Sequence, residues 1–173
     1  MHQYLHIRAF VRADGAPPIP APFARAIIPQ LCYFLTRTDR PQLQFEAAWS
    51  LTNICAMNAQ FTRVRTHRRR SPSIIRVSVC PRLLIQPAIV QDVVQSGAIN
   101  SFMQILETSP HEDLRGQAVW ALANIAGDTI EYRDLLLSMG TVPILLRHLE
   151  RVRYPLSLAH ATSLASLMAG LMA

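Results

Sequence analysis

Residues 111–128 read HEDLRGQAVWALANIAGD, and residues 40–55 read RPQLQFEAAWSLTNIC. Each stretch predicts an amphipathic helix, because its apolar residues recur at three- and four-residue spacing along one side. Away from this apolar stripe, a Trp is followed by an Asn four positions later, which places an indole and an amide on one face, a turn apart. The two pairs are Trp120 with Asn124 and Trp49 with Asn53. A large aromatic side chain repeated on this face indicates a binding surface.

The two stretches belong to a longer sequence repeat. When Ile28 is placed on Ile99, the segments that follow align without a gap to the ends of both Trp-containing stretches. A third, partial copy begins at Gly140, which matches Gly97 at a spacing of about 43 residues, a period typical of helical solenoid repeats. The spacing from Ile28 to Ile99 is about 28 residues longer than that period. We infer that an insertion interrupts the first repeat.

Two segments, LTRTDRPQLQFEAAWSLTNI at 35–54 and SPHEDLRGQAVWALANIAGDTIEYRDLLL at 109–137, closely resemble consecutive repeats of importin-α, the armadillo-repeat receptor for nuclear localisation signals. The resemblance covers residues 26–62 and 89–150. Armadillo repeats in general share the leucine pattern, whereas paired WxxxN sequences on successive third helices mark this family. The resemblance implies an all-α fold, a fragment of a right-handed armadillo-repeat α-solenoid.

The resemblance also divides the chain into parts. They are a disordered, Pro-rich lead-in (1–22), a first armadillo repeat (23–62), a basic insertion that loops out (63–88), a second repeat (89–128) and a partial third repeat with a divergent tail (129–173). We expect the second helix of the first repeat at 26–37 and the two third helices near 41–56 and 112–127, packed as parallel neighbours. Near Ala56 the family has a short loop of small residues, which is where the first of these third helices should end.

The resemblance implies a concave groove, lined by the third helices, that holds an extended basic peptide. The expected peptide-binding residues are Trp49, Asn53, Gln117, Trp120, Asn124 and Asp128. The Asn amides would hold the main chain of the ligand, and the Trp rings would form slots for the methylene stems of Lys or Arg. Asp128 matches the family's Asp that pairs with the most important lysine of the signal. Gln117, one turn before Trp120, is a further contact.

Three departures from the family predict a weakened receptor. A third Trp and Asn are expected near Ser163 and Leu167, and neither is present. Met57 stands where the family has a Gly that allows close approach of the backbone. The family's N-terminal arm, a long basic segment that docks on importin-β, has no counterpart in residues 1–22, so importin-β is not an expected partner. The expected partners are proteins with basic nuclear localisation signals, met in the cytoplasm and nucleus.

The formal net charge of +6 invites a nucleic-acid interpretation, which the position of the charge argues against. All 17 basic residues are Arg, and seven of them lie between Arg63 and Arg82, inside the predicted insertion. Within it, RTHRRR resembles a monopartite import signal or a nucleic-acid tail. A looped-out insertion without a binding role is the favoured interpretation, and no nucleic-acid partner is expected.

Other functional classes have little support in the sequence. Three cysteines without a CxxC motif suit a reducing compartment and no zinc site. No nucleophile–base constellation or glycine-rich phosphate loop is evident, so we expect no enzyme activity, no cofactor and no metal. The uncharged C-terminal residues 156–173 are at the lower limit for a membrane span, but their Ser, Thr and His content favours an irregular helix that caps the last repeat. The alternative function is a generic armadillo protein-interaction scaffold, which would not need Asp128.

Overall fold

The structure, a computed structural model, describes residues 20–67 and 89–151, together with helical residues 165, 167–169 and 171. In this part of the chain the elements are helices joined by turns, without strands, as the all-α prediction requires. The helices are α1 (Ala21–Leu35), α2 (Pro41–His67), α3 (Ile89–Gln95), α4 (Ala98–Thr108), α5 (Glu112–Ala126), α6 (Ile130–Ser138) and α7 (Thr141–Arg151). They follow one another as an α-solenoid: α1 and α2 close a first repeat, α3 to α5 form a second, and α6 and α7 begin a third.

Two glycines mark the matching turns of the second and third repeats. Gly97 lies between α3 and α4 with φ 79°, and Gly140 lies between α6 and α7 with φ 74°. This left-handed backbone region is open to Gly and strained for residues with a Cβ, so the same bend is encoded by the same residue in both repeats. The repeat alignment read from the sequence therefore corresponds to a repeated structural turn.

The core is continuous between repeats, and its most extensive helix–helix interface joins α2 to α5. Residues at matched positions of these two helices are buried together: Ala47 with Ala118, Ala48 with Val119, Leu51 with Leu122, and Ile54 with Ile125. Full burial of a Leu or Ile side chain stabilises the fold by about 1.5–3 kcal/mol. The apolar stripe that predicts each third helix is thus the side that each helix buries in the core.

Helix α2 is longer than the sequence analysis predicts. It does not end near Ala56 but continues to His67, so residues 63–67 of the predicted looped-out insertion are helical. The physical reason is the absence of a helix-breaking residue: no Gly or Pro occurs between Ala56 and His67, and Met57 stands where the family has Gly. The remainder of the predicted insertion, 68–88, lies outside the described residues.

Helix α1 begins earlier than predicted. It starts at Ala21, inside the expected lead-in of residues 1–22, and ends at Leu35. Pro22 lies in the first turn, where a missing N–H is tolerated, and the carbonyl of Pro20 accepts hydrogen bonds from the backbone N–H groups of Phe23 and Ala24. Pro20 and Pro22, which belong to the predicted extended lead-in, therefore lie at the start of a helix. The rest of the lead-in, 1–19, lies outside the described part of the chain.

The C-terminal tail contributes to the core near the partial third repeat. Leu167 and Leu171 are both buried and belong to the same apolar cluster as the repeat helices. Residues 152–164 lie outside the described residues. None of the helices that the structure describes has both the length and the apolar character needed to cross a bilayer.

Candidate functional site

Helix α5 presents its polar residues on one side and an exposed indole among them. At about 100° per residue, Gln117, Trp120 and Asn124 project within an arc of about 60°. The Trp120 side chain is 37% exposed, and Gln117 and Asn124 are half-buried. Asp128 follows the helix in a turn held by the hydrogen bond from its backbone N–H to the carbonyl of Ile125, 3.2 Å long. The structure thus places three of the predicted site residues on one side of α5, and Asp128 lies in the turn that follows.

Helix α2 carries the matching pair in a more buried setting. Trp49 is half-buried and packs against the apolar core, and Asn53 is 9% exposed. Glu46, one turn before Trp49, is half-buried, and its Oε1 accepts a hydrogen bond from Nε2 of Gln42 at 3.0 Å. Neither indole is fully buried, so each helix leaves part of its Trp ring accessible to a partner, and Trp120 is the more exposed of the two.

Two hydrogen bonds join α2 and α5 at the level of these residues. Nδ2 of Asn124 donates to the main-chain carbonyl of Thr52 at 3.1 Å. The hydroxyl of Thr52 donates to the carbonyl of Ala48 at 2.8 Å and reaches the carbonyl of Gln117 at 3.4 Å. An Asn amide has two N–H hydrogens and one carbonyl oxygen. Asn124 therefore uses part of its hydrogen-bonding capacity to tie the two helices together.

The contacts show that the two helices run in the same direction. Thr52 contacts α5 at Gln117 and Asn124. The Thr52 hydroxyl, which points back towards Ala48 and the N-terminus of α2, reaches the Gln117 carbonyl. The Thr52 carbonyl, which points towards the C-terminus of α2 as helical carbonyls do, accepts from Asn124. The contact points thus advance towards the C-terminus on both helices, so α2 and α5 are parallel neighbours, as the repeat predicts.

Gln117 contributes an unusual acceptor. Its side-chain Oε1 is buried and makes no hydrogen bond within the described part of the chain. A buried acceptor without a donor costs about 1–3 kcal/mol, so a donor that reaches this oxygen would relieve the cost. Gln117 itself lies one turn before Trp120, on the predicted binding side of α5.

The third repeat does not supply a third pair in the described residues. Leu167 occupies the position where a third Asn is expected, and its side chain is buried in the core. Ser163, the position of the expected third Trp, lies outside the described residues. Among the described side chains, no group of three or more His, Cys, Asp or Glu is placed to hold a metal ion.

Thr52 is a further residue of this site, and the Trp/Asn pattern alone does not identify it. Its hydroxyl and carbonyl both take part in the contact between α2 and α5. A signal for it exists in the repeat alignment, where Thr52 matches Ala123. A Thr inside a helix commonly donates to the carbonyl four residues earlier, so a Thr where the other repeat has Ala is a signal for a polar contact at this position.

Comparison with known proteins agrees with the repeat geometry. The family model described as Armadillo/beta-catenin-like repeat matches residues 24–56 and 86–127, on either side of most of the predicted insertion. Importin subunit alpha-1b of Oryza sativa subsp. japonica is 38% identical over 142 residues, which is 82% of this chain and 21% of that protein. Importin subunit alpha-2 of Arabidopsis thaliana is 37% identical over 142 residues, with the same two coverages, 82% and 21%. The chain spans about a fifth of the length of these relatives.

A likeness was also found among solved structures. A designed armadillo repeat protein in complex with the peptide (KR)4 aligns with a TM-score of 0.42 and 20% sequence identity. The alignment covers 84% of this chain and 64% of the designed protein.

Proposed function

Because the chain is a partial, importin-α-like armadillo-repeat protein, we propose that it binds basic nuclear localisation signal peptides on the side of α2 and α5 that carries the Trp/Asn pairs. Its partners are proteins that carry such signals, and its places of action are the cytoplasm and the nucleus. The proposed peptide-binding residues are Trp49, Asn53, Gln117, Trp120, Asn124 and Asp128. The role is that of a binding adaptor without chemistry of its own.

The observation that carries the proposal is the exposed indole of Trp120 between two polar side chains. Trp120 is 37% exposed on a helix whose apolar side is already buried, so packing alone does not account for its position. Asn124 lies on the same side of α5, and Asp128 lies in the turn that follows the helix. This combination suits an extended cationic peptide. The Trp120 ring can pack against the alkyl stem of a Lys or Arg, and the Asp128 carboxylate can form an ion pair with the charged group at the end of that stem.

The phase of the two helices supports a shared binding side. On α2, Thr52 projects to one flank of Trp49, whereas on α5 Gln117 and Asn124 project to the opposite flank of Trp120. Parallel helices that meet through these flanks are expected to present both indoles to the same side of the layer. One peptide could then cross both helices.

The energies expected of such contacts are moderate. Each Trp slot contributes roughly 0.5–2 kcal/mol through cation–π attraction. A charge-assisted hydrogen bond to Asp128 contributes about 1.5–3 kcal/mol. With Leu167 buried where a third Asn is expected, one main-chain clamp and one slot are missing. We therefore expect an affinity roughly ten- to several-hundred-fold weaker than that of an array with three pairs.

A protein-interaction scaffold is the second candidate function, and the hydrogen bond from Asn124 to Thr52 favours it. In that interpretation the amide holds the two helices together and the exposed indole meets a partner surface of another kind. The two functions differ in their need for charge: a scaffold does not require a cationic ligand or the carboxylate of Asp128.

Isothermal titration with two peptides tests the proposal. One peptide carries consecutive lysines, and the other replaces each lysine with norleucine, which keeps the alkyl stem and removes the charge. We expect the first to bind with micromolar affinity and the second not to bind, and we expect Trp120→Ala to weaken the first by about tenfold. Tyr33→Ala serves as the matched control, because Tyr33 is an exposed aromatic residue on α1, 52% accessible, away from α5. Equal binding of both peptides would favour the scaffold.

A further inference from the structure

Glu46 is an acidic residue of α2 close in sequence to the first Trp/Asn pair. It lies one turn before Trp49 and takes the place that Gln117 takes on α5. Helical side chains lean towards the N-terminus, so the Trp49 side chain leans over the turn that contains Glu46. Glu46 is half-buried as a residue, and the 3.0 Å hydrogen bond from Nε2 of Gln42 to its Oε1 restricts the orientation of its carboxylate.

The negative charge on the two helices is placed at opposite ends of the Trp/Asn pairs. On α5, Asp128 follows Asn124, and Gln117 precedes Trp120 without a charge. On α2 the order is reversed, because Met57 follows Asn53 and Glu46 precedes Trp49. Glu46 is also the sole Asp or Glu in the α2 sequence. Each Trp/Asn pair therefore has one acidic residue near it: Glu46 on the N-terminal side of the α2 pair and Asp128 on the C-terminal side of the α5 pair.

We propose that Glu46 is a second anionic contact of this surface, which binds a basic side chain seated on Trp49 while Asp128 binds a different one beside Trp120. The inference rests on the proposed function and specifies it further. The ligand class is a peptide with two separate basic side chains that cross both helices. A peptide with one basic residue would meet one carboxylate and bind weakly.

The test compares charge-neutral variants against a set of lysine-rich peptides in which each lysine is replaced, one at a time, by norleucine. Glu46→Gln removes the charge and keeps an oxygen that can accept from Gln42. Asp128→Asn removes the other charge. Glu150→Gln is the matched control, since Glu150 is exposed on α7, which packs on α4 and α6. Circular dichroism melting confirms that each variant is folded.

We expect Glu46→Gln to weaken the all-lysine peptide about three- to tenfold and Glu150→Gln to change it less than twofold, because a half-exposed ion pair is partly screened. One norleucine position should lower the affinity of the unmodified protein and of Asp128→Asn, but not that of Glu46→Gln. A different norleucine position should lower the affinity of the unmodified protein and of Glu46→Gln, but not that of Asp128→Asn. Two positions assigned to two carboxylates would support the inference.

The inference fails if Glu46→Gln binds every peptide as the unmodified protein does while Asp128→Asn is weakened, and the proposed function then stands. It also fails if Glu46→Gln and Glu150→Gln weaken binding equally, because the effect would then come from net charge. Absence of any binding by the unmodified protein at high micromolar concentration would overturn the proposed function and this inference together.

Discussion

The side-chain amide of Asn124 donates a hydrogen bond to the main-chain carbonyl of Thr52, with 3.1 Å between nitrogen and oxygen. The residue proposed to hold a peptide ligand therefore also joins α5 to α2. Because an amide has a second N–H hydrogen and an oxygen acceptor, the two roles are compatible. The bond fixes the orientation of the amide before a ligand arrives, which lowers the ordering cost of binding.

Asn124→Ala should affect both stability and binding. Loss of the hydrogen bond to Thr52 should lower the free energy of unfolding by about 0.5–1.5 kcal/mol, and peptide affinity should fall as well. Urea denaturation followed by circular dichroism measures the first effect. Asn100→Ala is the control, because Asn100 is exposed on α4, and we expect it to change stability by less than about 0.5 kcal/mol. Identical stability losses in the two variants would contradict a structural role for Asn124.

The two indoles should differ in what they contribute to folding. Trp49 packs against the core, whereas Trp120 is 37% exposed. We expect Trp49→Ala to lower the free energy of unfolding by about 2–3 kcal/mol and Trp120→Ala by less than about 1 kcal/mol. Urea denaturation of both variants checks this order, and the reverse order would show that Trp120 is the packed ring. If the expected order holds, Trp120→Ala is the cleaner probe of ligand binding.

Two buried thiols should make stability fall at high pH. Burial raises the pKa of Cys32 to about 11, and it raises the pKa of Cys55, to which Asp128 adds. In the unfolded chain these thiols ionise near pH 8.5. Above that pH the unfolded state loses protons that the folded state keeps, so the free energy of unfolding decreases as pH rises towards 11.

The slope of that decrease is at most about 1.4 kcal/mol per pH unit for each thiol. Urea denaturation at several pH values between 8 and 10.5 measures it. In the Cys32→Ala/Cys55→Ala double variant the slope should be shallower, because the titrating groups are gone. An unchanged slope would attribute the pH dependence to other groups, such as the tyrosines.

The turn between α1 and α2 should hold a strongly acidic carboxyl group. Arg37 donates to Asp39 from Nε at 2.8 Å and from Nη2 at 2.7 Å, and these bonds lower the pKa of Asp39 to about 2. A carbon-detected NMR titration should find this value in the unmodified protein. In Arg37→Gln the pKa should rise towards the ordinary value of about 3.9. A pKa near 3.9 in both proteins would mean that the pair does not persist in solution.

The parts of the fold that the sequence predicts well are those with a repeated local signal. The apolar stripe and the acidic first turn define α5 to within a residue at either end, and Gly97 and Gly140 identify the two matching turns. The start of α1 and the end of α2 are predicted wrongly, whereas α2 begins at Pro41 as predicted. A resemblance transfers the loop of a family to a sequence whose Ala56 and Met57 do not break a helix, and prolines near Ala21 suit a first turn as well as an extended segment.

The site was predictable in part for a related reason. The i, i+4 spacing of Trp120 and Asn124 places them on one side of a helix, and it needs no tertiary information. The hydrogen bond to Thr52 depends on the neighbouring helix, so a single helical pattern does not predict it.

The central claim is that a cationic peptide binds beside Trp120 and pairs with Asp128. Fluorescence anisotropy of a labelled lysine-rich signal peptide, titrated with the unmodified protein, Asp128→Lys and Glu150→Lys, tests it most directly. Both variants change the net charge equally, and Glu150 lies on α7, away from the site. We predict micromolar binding by the unmodified protein and by Glu150→Lys, and a loss of at least about thirtyfold in Asp128→Lys. Equal binding by all three proteins, or no binding by any at high micromolar concentration, would contradict the account.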